Sequence, residues 1–205
     1  MFKDRMDAGE KLAQKIKKLD LDKENTIILA LPRGGVVVAE KIAKDLDLPL
    51  DIIVTRKIGA PLNPEYAVAA VGENSIILNP REKIDENYIR KHSEKERLEI
   101  KRRLLLFRGK KAYPDLKDKI ILLVDDGIAT GLTMEAAIKE IRFHKPEKII
   151  VAVPVAPPDT IDHIENLVEE IIVLSIEPIF FAVGQFYQSF QQIQDNEVKD
   201  ILNSL

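Results

Sequence analysis

The chain has 205 residues, a length that suits one α/β domain with a sizeable core better than two large domains. It has no cysteine, which excludes disulfides, thiolate catalysis and cysteine-based zinc sites. Its formal net charge of −3 gives no indication of a surface that wraps nucleic acid or binds membranes. The first residues lack the apolar core of a signal peptide, and no apolar run reaches the roughly 20 residues of a membrane span. We therefore expect a cytoplasmic protein.

Short apolar runs rich in β-branched residues alternate with helical patterns along the chain. The predicted strands are Thr26–Leu31, Leu50–Thr55, Lys119–Val124, Lys148–Val153 and Glu170–Ile176. The predicted helices are Gly35–Leu46, Asp85–Phe107, Thr133–Phe143 and Asp159–Val168, and a short hairpin joins Tyr66–Gly72 to Ser75–Leu78. Apolar strands spaced by helices predict a parallel sheet that is covered on both faces. Ligands of such sheets bind beyond the carboxyl ends of the strands, so the candidate sites are the loops after Leu31, Thr55 and Val124.

The loop after Val124 carries the most specific pattern, within the segment IILLVDDGIATGLT at residues 120–133. Its apolar strand ends at two carboxylates, Asp125 and Asp126, and a glycine-containing loop then leads into a helix. Glycines allow backbone N–H groups to converge, and a helix N-terminus adds positive potential, so this loop can hold a phosphate. It lacks the lysine of a Walker A loop. Carboxylates beside a phosphate favour a sugar phosphate, whose hydroxyl groups they can bind; a plain strand end with Thr133 as a helix cap is the alternative.

The same segment resembles the signature for 5-phosphoribosyl 1-pyrophosphate (PRPP) in type I phosphoribosyltransferases, which is four apolar residues, two acidic residues and Gly-x-x-Thr-Gly-x-Thr. The resemblance implies the type I phosphoribosyltransferase fold, an α/β doubly wound, mainly parallel sheet with a small hood from the termini. It also implies a single phosphoribosyltransferase domain over residues 1–205, with a core at about 20–176 and a hood from residues 1–15 and 177–205. A wider resemblance, to a group described only as predicted phosphoribosyltransferases of undefined acceptor, spans nearly the whole chain. Four segments carry it: Phe2-Lys3-Asp4-Arg5, Asp7-Ala8-Gly9, Arg56-Lys57-Ile58-Gly59-Ala60-Pro61 and Gly184-Gln185-Phe186-Tyr187.

The loop after Leu31 resembles the pyrophosphate loop of the same family. It reads Pro32-Arg33-Gly34-Gly35, and its arginine can hold an anion in a bidentate grip. The resemblance implies a non-proline cis peptide bond between Pro32 and Arg33. An ordinary strand-to-helix turn is the alternative.

The loop after Thr55, Arg56–Glu65, resembles the mobile loop that closes over PRPP in this family. Closure would exclude water and bring the positive charges of Arg56 and Lys57 to the departing pyrophosphate. Because the segment contains Gly59, Pro61 and Pro64, we expect it to have few backbone hydrogen bonds. Its alternative is a basic surface hairpin.

The resemblance assigns roles to residues of all three loops. The PRPP-binding residues that it implies are Arg33, Gly34, Arg56, Asp125, Asp126, Gly127, Ile128, Ala129, Thr130, Gly131 and Thr133. Asp125, Asp126 and Lys57 would act in catalysis. Mg²⁺ would enter with PRPP and be held largely by the substrate, with Asp125 as a candidate ligand. The implied reaction transfers the phosphoribosyl group to an unidentified, nitrogenous acceptor and releases pyrophosphate.

The acceptor is the least defined part of this reaction. Glu65 is a conceivable acid or base from the mobile loop, and Phe186 and Tyr187 lie in an aromatic-rich segment that could stack on a flat acceptor or pack in the core. Family members that use hypoxanthine or guanine place a carboxylate where this chain has Ala129. The alanine argues against a 6-oxopurine acceptor and leaves adenine and uracil open.

A non-catalytic sensor of PRPP or a nucleotide is the alternative function, because the family contains regulators that keep the ligand site. Such regulators usually carry a nucleic-acid-binding module, and this chain has no basic helix-turn-helix segment, which argues against a nucleic-acid partner. A hydrolase would need a nucleophile elbow, Gly-x-Ser-x-Gly, which the sequence lacks. The charged helix predicted at Asp85–Phe107 could serve a homodimer or form a solvated face. We expect no membrane partner.

Overall fold

The computed structural model of the chain describes residues 1–80, 82–111 and 113–205, and for residues 64 and 65 it describes the backbone alone. The helices are α1 (Arg5–Ile16), α2 (Gly34–Leu46), α3 (Glu86–Arg108), α4 (Leu132–Phe143), α5 (Pro158–Glu165) and α6 (Asp195–Ser204). The strands are β1 (Thr26–Ala30), β2 (Leu50–Ile52), β3 (Arg56–Ala60), β4 (Asn63–Val71), β5 (Ile76–Leu78), β6 (Ile120–Val124), β7 (Lys148–Ala156) and β8 (Glu170–Ile176). Short 3-10 helices lie at Lys17–Leu19 and Val183–Phe186.

The central sheet has the strand order β2-β1-β6-β7-β8, and each neighbouring pair is parallel, which confirms the predicted parallel sheet. From β1 the chain moves outward to β2, and from β6 it moves the opposite way to β7 and β8. The order therefore reverses between β1 and β6, and ligands of open α/β sheets bind at such a switch point. Ala30 of β1 is paired with Val124 of β6, so the loops that follow these residues begin side by side.

Apolar side chains from alternate strand positions fill a hydrophobic core on each face of the sheet. Along β6, Ile121 and Leu123 join the core under α4 and α5, whereas Leu122 and Val124 join the core under α1 and α2. All of them are fully buried, at 0% exposure. Full burial of an aliphatic side chain contributes about 1.5–3 kcal/mol, so a strand without polar alternation is stable only where both faces are covered.

Strands β3, β4 and β5 form a separate antiparallel sheet in the order β3-β4-β5. The expectation of a loop with few backbone hydrogen bonds at residues 56–65 is therefore wrong, because Arg56–Ala60 is a strand that pairs with β4, with Lys57 opposite Ala70. The apolar strand β4 offers partners for these backbone groups, and Ile58 is only 2% exposed, which favours the pairing. The register shifts on both sides of Gly59, as in a β-bulge.

The other predicted elements agree with the structure except at their ends. The hairpin predicted from Tyr66 to Leu78 is confirmed by the pairing of β4 with β5. Strand β2 is shorter than predicted, and β7 is longer. Helix α6 was not among the predicted helices; Val198 anchors it in the core with 0% exposure. Among the residues that the structure describes, no helix is both long and apolar enough to cross a membrane.

The two ends of the chain meet beside the central sheet. Phe2 forms a parallel bridge with Tyr187, in which the Phe2 N–H donates to the Phe186 carbonyl at 2.8 Å and the Gln188 N–H donates to the Phe2 carbonyl at 2.8 Å. The side chains of Phe2 and Tyr187 pack with Ala8 in a small apolar cluster. This contact brings together the segments expected to form the hood. Its boundaries at residues 1–15 and 177–205 stay a prediction.

Candidate functional site

Two loops meet at the switch point of the sheet. The first, which we call the Arg33 loop, is residues 31–33 between β1 and α2; the second, which we call the acidic loop, is residues 125–131 between β6 and α4. The Leu31 N–H donates to the Val124 carbonyl at 2.9 Å, so the two loops leave the sheet in contact. The Pro32–Arg33 peptide bond is cis, as the sequence predicted.

Gly34 and Gly35 at the start of α2 allow the acidic loop to approach closely. A Cβ atom on Gly34 would overlap the Oδ2 atom of Asp126. A Cβ atom on Gly35 would lie 2.9 Å from the Cα atom of Asp125, closer than such atoms normally come. The two glycines are therefore needed for contact between the loops, independently of the backbone angles.

The carboxylates of Asp125 and Asp126 are largely buried and lie next to each other. The Asp126 N–H donates to Asp125 Oδ1 at 2.8 Å. Burial raises the pKa of Asp125 well above its usual range, and the neighbouring Asp126 charge adds to this rise. Burial also raises the pKa of Asp126, while the nearby Arg5 guanidinium opposes that rise. Such a pair gains from hydroxyl donors or a cation brought by a ligand.

The rest of the acidic loop is held by hydrogen bonds to β7 and α5, and part of it is exposed to solvent. The Ile128 N–H donates to the Val155 carbonyl at 3.0 Å, and the Thr160 hydroxyl donates to the Ala129 carbonyl at 2.7 Å. Ala129 and Thr130 are both exposed, so a ligand can reach this part of the loop. The loop is thus held in shape before any ligand arrives.

Gly131, rather than Thr133, is the N-cap of α4. Its φ of 82° lies in the left-handed region that glycine adopts without strain. No side chain caps the helix there, so the alternative of Thr133 as the cap is not observed. Thr133 is exposed in the first turn, beside backbone N–H groups that can bind an anion.

The three cations predicted to bind pyrophosphate are Arg33, Arg56 and Lys57, and the two arginines lie near carboxylates of this chain. Arg33 Nη1 lies 3.6 Å from Asp195 Oδ1, at the first residue of α6. Arg56 Nε lies 2.8 Å from Glu96 Oε2 on α3, so a bound pyrophosphate would have to share or replace that partner. Lys57 is exposed on β3. Their roles toward PRPP stay predictions.

Arg5 is a residue of this site that sequence reasoning missed. Its Nε lies 2.7 Å from Asp126 Oδ2, Nη1 donates to the Gln191 carbonyl at 2.9 Å, and the guanidinium carbon lies 3.7 Å from the centre of the Phe190 ring. The side chain is 9% exposed. The available signal was a charged residue at the start of an otherwise amphipathic helix, which does not indicate a partner 121 positions away.

Of the acceptor-side candidates, Tyr187 contacts the acidic loop. Tyr187 is 6% exposed and its hydroxyl donates to the Asp126 carbonyl at 2.6 Å, which favours the core-packing alternative over stacking on an acceptor. Phe186 packs against Phe180 with ring centres 4.9 Å apart. The side chain of Glu65 lies outside the described residues. In the described part of the chain, no three or more histidine, aspartate or glutamate side chains are grouped to hold a metal ion.

Relatives of the chain are found along almost its full length. Two Mycobacterium tuberculosis proteins, from strains CDC 1551 / Oshkosh and H37Rv, each named "Putative phosphoribosyl transferase", are 39% identical over 208 residues, which is 99% of this chain and 46% of theirs. This chain therefore spans about half the length of the curated relatives it matches. The uracil phosphoribosyltransferase of Aquifex aeolicus is 38% identical over 58 residues, 28% of this chain and 28% of that one.

Solved structures agree with this similarity. The crystal structure of TT1426 from Thermus thermophilus has a TM-score of 0.84 and 38% identity, covering 99% of this chain and 98% of that one. The AQ2163 protein of Aquifex aeolicus, with a TM-score of 0.55 and 18% identity over 84% of this chain and 74% of that one, shares the fold. The model of the phosphoribosyl transferase domain matches residues 2–189. This chain belongs to the phosphoribosyl transferase domain family and has the type I fold.

Proposed function

We propose that the chain binds PRPP between the Arg33 loop and the acidic loop and transfers its phosphoribosyl group to a nitrogen acceptor, releasing pyrophosphate. The observation that carries the proposal is the position of Asp125 and Asp126. They are adjacent, largely buried carboxylates at the switch point of a parallel sheet. The loop that follows them leads directly into helix α4. A ligand that combines hydroxyl groups with a phosphate fits both features at once.

Each part of the site would bind a different part of PRPP. Asp125 and Asp126 would accept hydrogen bonds from the 2′- and 3′-hydroxyl groups of the ribose. Residues 127–133, with the N-terminus of α4, would bind the 5′-phosphate through backbone N–H groups and threonine hydroxyls. Arg33, together with Arg56 and Lys57 of the β3–β4 hairpin, would stabilise the pyrophosphate.

In the proposed reaction, the C1–O bond to pyrophosphate breaks and a C1–N bond to the acceptor forms. The electron pair of the broken bond goes to the pyrophosphate oxygen, and the acceptor nitrogen releases its proton to water or to a base such as Glu65. The transition state would resemble an oxocarbenium ion, as in glycoside cleavage. The chain would therefore act by positioning the reactants and stabilising charge on the leaving group.

Magnesium fits the donor chemistry of this site. Mg²⁺ prefers hard oxygen ligands and is often bound by one or two carboxylates together with substrate phosphates. Asp125 is the residue that would contact it, because its buried carboxylate lies beside Asp126 and a cation would offset the charge of the pair. When bound, Mg²⁺ would neutralise charge on the pyrophosphate.

Ala129 of the acidic loop limits the range of acceptors that we propose. Ala129 stands where relatives that use 6-oxopurines carry a carboxylate, so hypoxanthine and guanine lack their partner here. The alanine leaves adenine and uracil as the first acceptors to test, and the partial similarity to a uracil phosphoribosyltransferase supports testing uracil.

The decisive experiment is a screen for PRPP-dependent pyrophosphate release with Mg²⁺ and single acceptors. The acceptors are adenine, uracil, hypoxanthine, guanine and a set of simple amines. We expect release with an acceptor other than hypoxanthine or guanine, and none from the variant Asp125→Asn, Asp126→Asn. Failure of the wild-type chain to bind PRPP in calorimetry would overturn the proposal.

Sensing of PRPP without turnover is the second candidate. It is favoured by the carboxylate partners that Arg33 and Arg56 already have within the chain, since a transferase needs these cations at the leaving group. If the chain binds PRPP but releases no pyrophosphate with any of the tested acceptors, the result would support the sensor and exclude transfer to those acceptors.

A further inference from the structure

The guanidinium of Arg5 is held in one orientation by contacts on three sides. Its Nε lies 2.7 Å from Asp126 Oδ2, its Nη1 donates to the Gln191 carbonyl at 2.9 Å, and Phe190 stacks on it at 3.7 Å. The side chain is 9% exposed, so these interactions are weakly screened by water. A charge-assisted hydrogen bond of this length is among the strong contacts of a protein.

Arg5 also lies beside Gly34, the first residue of α2, which follows the Arg33 loop. Its Nε would lie 2.8 Å from a Cβ atom on Gly34, and the same Cβ would overlap Asp126 Oδ2. Gly34, Asp126 and Arg5 are therefore in mutual contact at the switch point. Because a carboxylate is rigid and planar, fixing Oδ2 between Arg5 and Gly34 also fixes the direction of Oδ1.

The same aspartate is held on its backbone side by the C-terminal segment. The Tyr187 hydroxyl donates to the Asp126 carbonyl at 2.6 Å, and residues 190 and 191 of that segment contact Arg5. The two ends of the chain thus meet around one residue of the acidic loop. Neither end contains any part of the PRPP signature.

We infer that Arg5 is a positioning residue that orients the Asp126 carboxylate for a ribose hydroxyl group. This inference rests on the proposed function, because it assigns Arg5 a role through a ribose-binding carboxylate. Arg5 itself touches no reacting atom. Its removal should therefore weaken recognition of a ribose hydroxyl, rather than of phosphate.

A second ion pair in the chain provides a matched control. Arg108 lies 2.7 Å from Asp51, is 9% exposed and lies over the Tyr113 ring at 4.6 Å, so it resembles Arg5 in distance, burial and aromatic neighbour. It joins α3 to β2, away from the Arg33 loop and the acidic loop. A purely structural ion pair should behave in the same way at both positions.

The experiment compares Arg5→Gln, Arg5→Lys and Arg108→Gln by calorimetry with three ligands: ribose 5-phosphate, 2-deoxyribose 5-phosphate and 3-deoxyribose 5-phosphate. The wild-type chain should prefer ribose 5-phosphate to at least one deoxy sugar by about tenfold or more, as expected for a hydrogen bond to a charged group. Arg5→Gln should reduce that ratio to about one, Arg5→Lys should give an intermediate ratio, and Arg108→Gln should leave it unchanged.

The outcomes separate this inference from the proposed function. An unchanged ratio in Arg5→Gln would overturn the positioning role and leave the proposed function standing. If Arg5→Gln does not fold, the ratio in Arg5→Lys decides: a clear decrease supports the role and an unchanged ratio overturns it. A decrease of the same size in Arg108→Gln would also overturn it. A wild-type chain that binds neither PRPP nor ribose 5-phosphate would overturn the proposed function.

Discussion

The hydroxyl group of Tyr187 donates a hydrogen bond of 2.6 Å to the carbonyl oxygen of Asp126. The ring of Tyr187 is 6% exposed and packs between Phe2 and Phe190, with ring centres 5.4 and 5.0 Å away. Burial raises the pKa of Tyr187 above its usual range, so the hydroxyl stays a proton donor. The position of the acidic loop therefore depends on a residue 61 positions later in the chain.

Tyr187→Phe should loosen this attachment while the ring packing remains. We expect the free energy of unfolding to fall by about 1–2 kcal/mol, because the Asp126 carbonyl loses its donor, and PRPP affinity to fall several-fold. Tyr113→Phe is the control, since the Tyr113 hydroxyl donates to the Ile52 carbonyl at 3.1 Å outside both loops. Urea denaturation and calorimetry check both quantities, and equal losses of PRPP affinity in the two variants would contradict the prediction.

Asp125→Asn with Asp126→Asn should lower PRPP affinity by about 100-fold or more, because two charge-assisted hydrogen bonds to the ribose are weakened. The fold should remain intact, since asparagine has nearly the same shape and the buried carboxylates carry a desolvation cost. Asp51→Asn in β2 is the control, because it also removes a carboxylate from an ion pair with arginine. Undiminished affinity of the double variant in calorimetry would exclude the assignment of the ribose site.

Gly34→Ala should abolish tight PRPP binding. The new methyl group would overlap Asp126 Oδ2 and lie 2.8 Å from Arg5 Nε, so the carboxylate must leave its position. Asp126→Ala in the Gly34→Ala background removes this overlap. We expect it to recover part of the lost stability without recovering PRPP affinity, and such coupling between neighbours is measurable by a double-mutant cycle. Full PRPP affinity in Gly34→Ala would show that the contact between the loops is dispensable.

The segment 56–65 should close over bound PRPP. Hydrogen exchange should show slower exchange of its backbone N–H groups when PRPP and Mg²⁺ are present, most clearly beyond the Gly59 bulge, where the regular pairing with β4 is interrupted. Equal protection with and without the ligands would rule out closure.

Lys57→Ala tests the catalytic part of the same prediction. Turnover should fall far more than PRPP affinity, because the positive charge matters most as pyrophosphate departs. Lys117→Ala, at a side chain that is 66% exposed before β6, should change neither quantity. Equal effects of Lys57→Ala on affinity and turnover would contradict a transition-state role.

Glu140→Ala should destabilise the fold without affecting PRPP binding. Glu140 is 5% exposed on α4 and accepts hydrogen bonds from Asn74 N, Asn74 Nδ2 and Ser75 N, each at 2.9 Å, which fixes the turn between β4 and β5. Losing these charge-assisted bonds should cost about 2–4 kcal/mol. Glu99→Ala should cost at most about 1 kcal/mol, because its ion pairs with Arg102 and Arg103 lie at the surface of α3. Denaturant unfolding of the two variants checks the difference.

The parallel sheet and the position of the acidic loop could be predicted from local sequence patterns alone. Strands such as β6 are apolar at successive positions, and only burial on both faces stabilises such a strand in water. Asp125, Asp126 and the glycines that follow lie within one short segment, so their spacing can be read directly. The Pro32–Arg33 cis bond was predicted from the resemblance of residues 32–35 to the pyrophosphate loop, which is also one short segment.

The contacts that these residues make with distant parts of the chain could not be predicted in this way. Arg56–Ala60 forms a strand because β4 lies beside it, and the glycine and prolines of residues 56–65 did not indicate this pairing. Arg5 contacts Asp126 across 121 positions, and Asp195 reaches Arg33 from the last helix. The spacing of apolar residues indicates which face of a helix or strand is buried, but it does not indicate which distant element packs against that face. Contacts between a charged residue at one end of the chain and a carboxylate near its middle are therefore fixed by packing.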